Sequence, residues 1–117
     1  MRSAAVWLAS ATPDVVDEFL HGLTEGSFLA LPWVFEFWAL PHQLPPEGAW
    51  KSWVVMGGRG AGKTRAGAEW VRRLASEGVT PIALVGETIS EALAVMVRGE
   101  SGLLAVSPEA ERPRLKG

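Results

Sequence analysis

The first clear pattern of apolar and polar positions lies near the amino terminus. Apolar residues recur there three or four positions apart, which is the spacing of one helical face. They are Val15, Val16, Phe19, Leu20 and Leu23. Thr12 can cap free backbone N–H groups, Pro13 suits the first helical position, and Asp14 faces the positive end of the helix dipole. The pattern therefore predicts an amphipathic helix that begins after Thr12.

Residues 28–40 are apolar on nearly every face. Because Pro32 lies among them, they cannot form one uninterrupted amphipathic helix, and we expect a short helix that restarts near Pro32. Four large aromatic residues are expected to be buried against the domain that follows. They are Trp33, Phe35, Phe37 and Trp38. Residues 41–50, PHQLPPEGAW, contain three prolines and one glycine and predict a stiff, extended connector.

The next part of the chain alternates between strand-like and helical patterns. Residues 52–56 and 82–85 are short apolar runs next to glycines, which is typical of buried strands. Between them, residues 63–77 have helical spacing and end at Gly78. The apolar side of this helix carries Ala66, Trp70, Val71 and Leu74, and the polar side carries Arg65, Glu69, Arg72 and Arg73.

A second helix is predicted after the second strand. Thr88 and Glu91 have the spacing of a capping box, and Gly99 ends the apolar stripe that follows. Residues 103–106 form a third short element. The order strand, helix, strand, helix predicts a parallel α/β sheet with flanking helices, preceded by a helical segment.

Composition limits the class of protein. The 117 residues are 48% apolar and carry a formal net charge of -2, so no global positive field attracts nucleic acid. The absence of cysteine excludes disulfides and thiolate metal sites, and two histidines make a poor metal site. The opening apolar run is too short for a secretory signal, and no run is long enough for a membrane span. We expect a soluble protein of a reducing cytoplasm.

A glycine cluster between the first predicted strand and its helix has the spacing of a phosphate-binding loop. The pattern GxxxxGKT is matched by Gly57, Gly62, Lys63 and Thr64, and Gly60 is a further glycine within it. Glycines let backbone N–H groups face a polyphosphate, Lys63 can reach the β and γ phosphates, and Thr64 can ligate Mg²⁺. The alternative is an ordinary glycine-rich turn. The pattern alone does not distinguish a kinase, a GTPase, an ATPase or a translocase.

The flanking sequence resembles one family in particular. Three segments carry the resemblance: LPHQLPPEGAWKSW, GGRGAGKTRAGAEWVR and IALVGETISEALAVMVRGESGLLAVSPEAERPR. They are similar to the ATPase domain of large terminase subunits, the DNA-packaging motors of tailed phages and gene transfer agents. The resemblance covers about residues 30–114. It implies ATP and Mg²⁺ as cofactors, and double-stranded DNA, a portal protein, a small terminase subunit and further copies of the chain as partners in a bacterial cytoplasm.

The resemblance also assigns roles to residues. Arg59 corresponds to an arginine that stabilises the γ phosphate, although a solvated loop arginine is the alternative. Gln43 corresponds to a glutamine that contacts adenine, although it can also be simply exposed. The implied catalytic residues are Lys63 and Arg59, and the implied metal ligand is Thr64. The implied nucleotide-binding residues are Gln43, Gly57, Gly58, Arg59, Gly60, Ala61, Gly62, Lys63, Thr64 and Arg65.

Two further groups have competing interpretations. Glu87 and Thr88 lie where related motors link nucleotide state to DNA, but Thr88 already serves as a helix cap, which we favour. Arg65, Arg72 and Arg73 can form a basic face for DNA or for a neighbouring subunit. Because Glu69 lies among them at pairing distance, a solvated, salt-bridged face is favoured.

The resemblance predicts a partial ATPase domain. Residues 1–50 form the helical segment and the adenine-side connector, and residues 51–117 form the first part of the ATPase domain. The acidic strand that holds the magnesium water shell, the catalytic glutamate and the family's nuclease domain are not found in this sequence. We therefore expect weak nucleotide binding and negligible hydrolysis. The alternatives are a small P-loop kinase and a non-catalytic nucleotide-binding remnant.

Overall fold

A computed structural model describes residues 3–116. Its α-helices are α1 (Ala4–Ala9), α2 (Pro13–His21), α3 (Glu25–Ala30), α4 (Phe35–Trp38), α5 (Lys63–Ser76), α6 (Ile89–Ala92) and α7 (Leu103–Val106). Short 3₁₀ turns occupy Leu31–Trp33, Pro41–Gln43 and Glu109–Glu111, and a π-helical turn at Leu93–Val97 continues α6. The chain divides into two compact units, Met1–Leu44 and Pro45–Gly117.

The predicted parallel sheet is wrong, because residues 3–116 contain no β-strand. Residues 52–58 and 79–86 have no regular secondary structure. A parallel sheet is stable when both of its faces are covered, whereas Val54 is 75% exposed, Met56 85% and Val85 80%. Four or five apolar residues beside a glycine identify an apolar segment, but they do not supply the neighbouring strands that a ladder needs. The incomplete P-loop NTPase fold expected from the sequence is therefore not formed.

The first unit is helical, as the sequence predicts. Thr12 is the residue before α2 and Pro13 opens the helix, although the Thr12 hydroxyl makes no capping hydrogen bond. The helix also restarts near Pro32 as predicted, first as the 3₁₀ turn Leu31–Trp33 and then as α4.

Aromatic rings hold α2 and α4 together within this first unit. Phe37 stacks on Phe19 with ring centroids 5.8 Å apart, and Trp38 meets Phe37 edge-on at 5.0 Å. The Trp38 indole N–H donates to the Leu31 carbonyl at 2.8 Å. Phe35 is buried, but Trp38 is 48% exposed, so the predicted burial of all four aromatic residues is not achieved.

The second unit is organised around α5. This helix agrees with the prediction in position and in its end, since Gly78 follows with a φ of 84°. Helix α7 packs on α5, and its Val106 is fully buried. The predicted cap of α6 is also confirmed, because the Thr88 hydroxyl accepts from the Glu91 N–H at 3.1 Å. Residues 103–106 form a helix where the sequence left the type of element open.

Candidate phosphate-binding loop

Residues 57–62 form a tight glycine-dependent turn that leads directly into α5 at Lys63. Gly60 and Gly62 have φ angles of 80° and 77°, in the left-handed region that other residues rarely adopt. The Ala61 N–H donates to the Gly58 carbonyl at 3.3 Å and closes the turn. A Cβ atom at Gly57 would lie 2.8 Å from the Ala61 Cβ, so the close approach of these two residues requires glycine at position 57.

The start of α5 provides positive potential. Gly62 is the residue before the helix, and the 14 residues that follow align their peptide dipoles toward it. The first turn contains no acidic residue and begins with Lys63. A cation at this end of a helix opposes the helix dipole, so Lys63 adds to the positive potential of the helix start instead of neutralising it.

The Lys63 ammonium is folded back over the loop. Its Nζ donates to the carbonyl oxygens of Gly57 and Gly58, each at 2.7 Å. The charge is therefore fixed above the turn, at the amino-terminal end of α5. Within residues 57–64 the charged residues are Arg59 and Lys63, both cationic, so the loop is locally positive in a chain with a net charge of -2.

The remaining residues implied by the resemblance occupy different surroundings. Arg59 and Thr64 are exposed, the first at the tip of the turn and the second in the first turn of α5. Arg65 instead pairs with Glu69, its Nη2 lying 2.8 Å from Oε1. Gln43 belongs to the first unit, where its Oε1 accepts from the Leu40 N–H at 2.9 Å, whereas the loop belongs to the second unit.

The exposure of Glu69 was predicted wrongly from the sequence. Pairing with its arginine neighbours was predicted and is confirmed, but Glu69 is buried rather than on a solvated face. Its carboxylate lies between Arg65 and Arg72, and Arg72 extends to Glu111 at 3.4 Å and to the Val106 carbonyl at 3.4 Å. The spacing along α5 predicts the first two pairs. Nothing in the local pattern predicts that residues 103–111 fold over them.

A cluster of three tryptophans in the second unit was not predicted from the sequence. Trp50, Trp53 and Trp70 form a triangle in which the ring centroids are 5.7 to 6.4 Å apart. The helical pattern identified Trp70 as a core-facing residue of α5. It did not identify Trp50 and Trp53 as its partners, because Trp50 ends the predicted connector and Trp53 lies in the predicted strand.

Other kinds of site find less support in the described part of the chain. Residues 3–116 contain no group of three or more histidine, cysteine or acidic residues placed to hold a metal ion. None of the helices among these residues has the length and apolar character to cross a membrane. Comparison with protein-family models, with curated proteins and with solved structures finds no match for this chain.

Proposed function

We propose that residues 57–64 bind the phosphates of ATP, and that the chain is the ATP-binding part of a DNA-packaging motor of the large terminase type. The observation that carries the proposal is the Lys63 ammonium, which lies 2.7 Å from the carbonyl oxygens of Gly57 and Gly58 at the start of a 14-residue helix. A cation, a helix amino terminus and a glycine turn meet there, and each favours a phosphate group.

The chemistry of the site fits a triphosphate better than an uncharged ligand. The loop carries two cations and no anion. At about 4 Å a unit charge pair contributes something like 4 kcal/mol at an effective dielectric near 20, and a polyphosphate can make several such contacts. Lys63 and the first backbone N–H groups of α5 are the groups that would hold the phosphates.

Mg²⁺ is compatible with the same residues. This ion prefers oxygen ligands and keeps several waters, so one protein hydroxyl together with phosphate oxygens is sufficient. The exposed Thr64 hydroxyl, one residue after Lys63, is the group that would serve. When bound, Mg²⁺ neutralises part of the phosphate charge.

The assignment to a packaging motor rests on the sequence resemblance over about residues 30–114. In that interpretation Arg59 assists at the γ phosphate, and the partners are double-stranded DNA, a portal protein, a small terminase subunit and further copies of the chain. The resemblance also implies a sheet, which residues 3–116 do not form. The proposal therefore retains the loop and helix α5 and does not include the sheet.

Isothermal titration with Mg²⁺ and ATP tests the proposal. Lys63→Ala should weaken ATP binding at least about tenfold, which corresponds to about 1.4 kcal/mol. Lys51→Ala is the matched control, because Lys51 is also exposed but lies outside the loop, and it should leave the affinity unchanged. AMP should bind more weakly than ATP, since it lacks the β and γ phosphates, and hydrolysis by this chain should be negligible. Equal ATP affinities for the Lys63 and Lys51 variants would overturn the proposal.

A further inference from the structure

Two sets of contacts connect the first part of the candidate phosphate-binding loop to α5. In a sheet, the hydrogen bonds of a ladder would hold the segment that leads into the loop. Residues 52–58 belong to no ladder. The Lys63 bonds to Gly57 and Gly58 are one connection between the loop and the helix, and they start from an exposed side chain.

The tryptophan triangle provides a second, more rigid connection. Trp53 meets Trp70 edge-on, with ring centroids 5.7 Å apart and planes at 88°. Trp50 lies 6.0 Å from Trp70 and 6.4 Å from Trp53, and its indole N–H donates to the Pro46 carbonyl at 2.8 Å. These separations fall within the range of about 4.5 to 7 Å in which aromatic rings attract one another.

The three rings come from both sides of the loop. Trp53 is four residues before Gly57, and Trp70 is seven residues after Lys63. Seven residues turn an α-helix through roughly two full turns and advance it by about 10 Å. Trp70 therefore lies on the same side of α5 as Lys63, about two turns further along the helix.

We propose that Trp70 is a positioning residue for the phosphate-binding loop. Its contact with Trp53 holds the segment before the loop against α5 and takes the place of the missing ladder. The Gly57 and Gly58 carbonyls are thereby kept where the Lys63 ammonium can reach them. The role for nucleotide affinity rests on the proposed function, whereas the effect on the loop itself does not.

The test uses the full chain with Trp70→Ala, Trp70→Phe and a control, Trp7→Ala. Trp7 is 62% exposed and lies in the first unit. The first measurement is the backbone order parameter of residues 57–62 by ¹⁵N relaxation, without nucleotide. Trp70→Ala should lower it from about 0.85, typical of rigid backbone, to below about 0.6, typical of flexible backbone. In Trp70→Phe the order parameter should return most of the way to the wild-type value, and in Trp7→Ala it should not change.

The second measurement is the ATP affinity of the same proteins, with far-UV circular dichroism to confirm that helix content is retained. Trp70→Ala should weaken ATP binding about tenfold, and Trp70→Phe should recover it. If Trp70→Ala loses helix content, Trp53→Ala replaces it, because Trp53 lies outside the helices and should loosen the loop equally. Unchanged order parameters in the folded variant would overturn the inference. Loosening of the loop in a protein that binds no ATP would overturn the proposed function alone.

Discussion

At the scale of single residues, Glu69 is a buried and paired carboxylate of the second unit. Its side chain is only 5% exposed, and it faces the Arg65 guanidinium at 2.8 Å and that of Arg72 at 3.1 Å. Glu111 adds a second carboxylate to Arg72, so two cations and two anions form a balanced chain. A buried carboxylate is tolerated when it is paired in this way, and removing its charge takes one ionic partner from each of the two guanidinium groups.

Replacing Glu69 with Gln should therefore destabilise the protein. The side chain keeps its shape but loses its charge, and we expect a loss of about 1 to 3 kcal/mol in the free energy of unfolding, measured with urea. Glu77→Gln is the matched control, since the Arg73–Glu77 pair has a similar separation, 3.0 Å, but both side chains are more than half exposed. The control should change stability by less than about 1 kcal/mol. Equal losses in the two variants would contradict a special role for the buried carboxylate.

Residue-scale predictions from the sequence succeed where the partners are close along the chain. The pairing of Glu69 with Arg65 and Arg72 follows from helical spacing of three and four residues. The burial of Glu69 depends on residues 103–111, which are more than 30 positions away, and no periodicity within α5 reports on them. Thr12 is a second example in which the sequence is not sufficient. Threonine favours helix capping, but the Thr12 hydroxyl makes no capping hydrogen bond to α2.

At the scale of elements, glycines have opposite effects in two places. Gly67 lies in the interior of α5, where a Cβ atom would meet nothing within 4 Å. Gly102 is buried just before α7, and a Cβ atom there would lie 2.7 Å from the Val97 carbonyl oxygen. The first glycine weakens its helix, whereas the second permits the close approach of α7 to the π-helical turn.

The two glycines should respond in opposite ways to alanine. Gly67→Ala should raise the free energy of unfolding by about 0.5 to 1 kcal/mol, because glycine loses more backbone freedom than alanine when a helix forms. Gly102→Ala should lower it by about 1 to 3 kcal/mol through steric overlap. Thermal unfolding of both variants beside the wild type measures the two effects, and a change of the same sign in both would contradict the local geometry.

Element boundaries were the most predictable part of the fold. The start of α5 at Lys63 and its end before Gly78 follow from the glycines that flank the helix. The start of α6 follows from Thr88. These signals act over three or four residues, which is why they can be identified from the sequence. The strands could not be confirmed in this way, because a strand exists only with a partner elsewhere in the chain.

At the scale of the whole molecule, the absence of a sheet from residues 3–116 leaves apolar surface exposed. Four apolar side chains are each at least 75% exposed: Val54, Met56, Val85 and Ile89. The first three lie in the segments on either side of α5, and Ile89 lies at the start of α6. Apolar segments outside regular structure retain free backbone groups as well as apolar side chains, and both favour association with other chains.

We therefore expect the protein to self-associate as its concentration rises, as measured by sedimentation velocity. The double variant Met56→Lys with Val85→Lys should shift the distribution toward monomer without loss of helix content. Leu29→Lys is the control, because Leu29 is 66% exposed but lies in α3 of the first unit. A monomeric wild type at every concentration, or an equal effect of the control, would show that these segments do not drive association.

The double hydrogen bond of Lys63 has a further consequence for the energetics of ligand binding. An ammonium group has three N–H donors, and within residues 3–116 two of them are directed at the Gly57 and Gly58 carbonyls. The waters that a fully solvated lysine would hold at those two positions are displaced when the chain folds. Under the proposed function, an arriving phosphate would meet a partly dehydrated cation, and a share of the dehydration cost would belong to folding instead of to association.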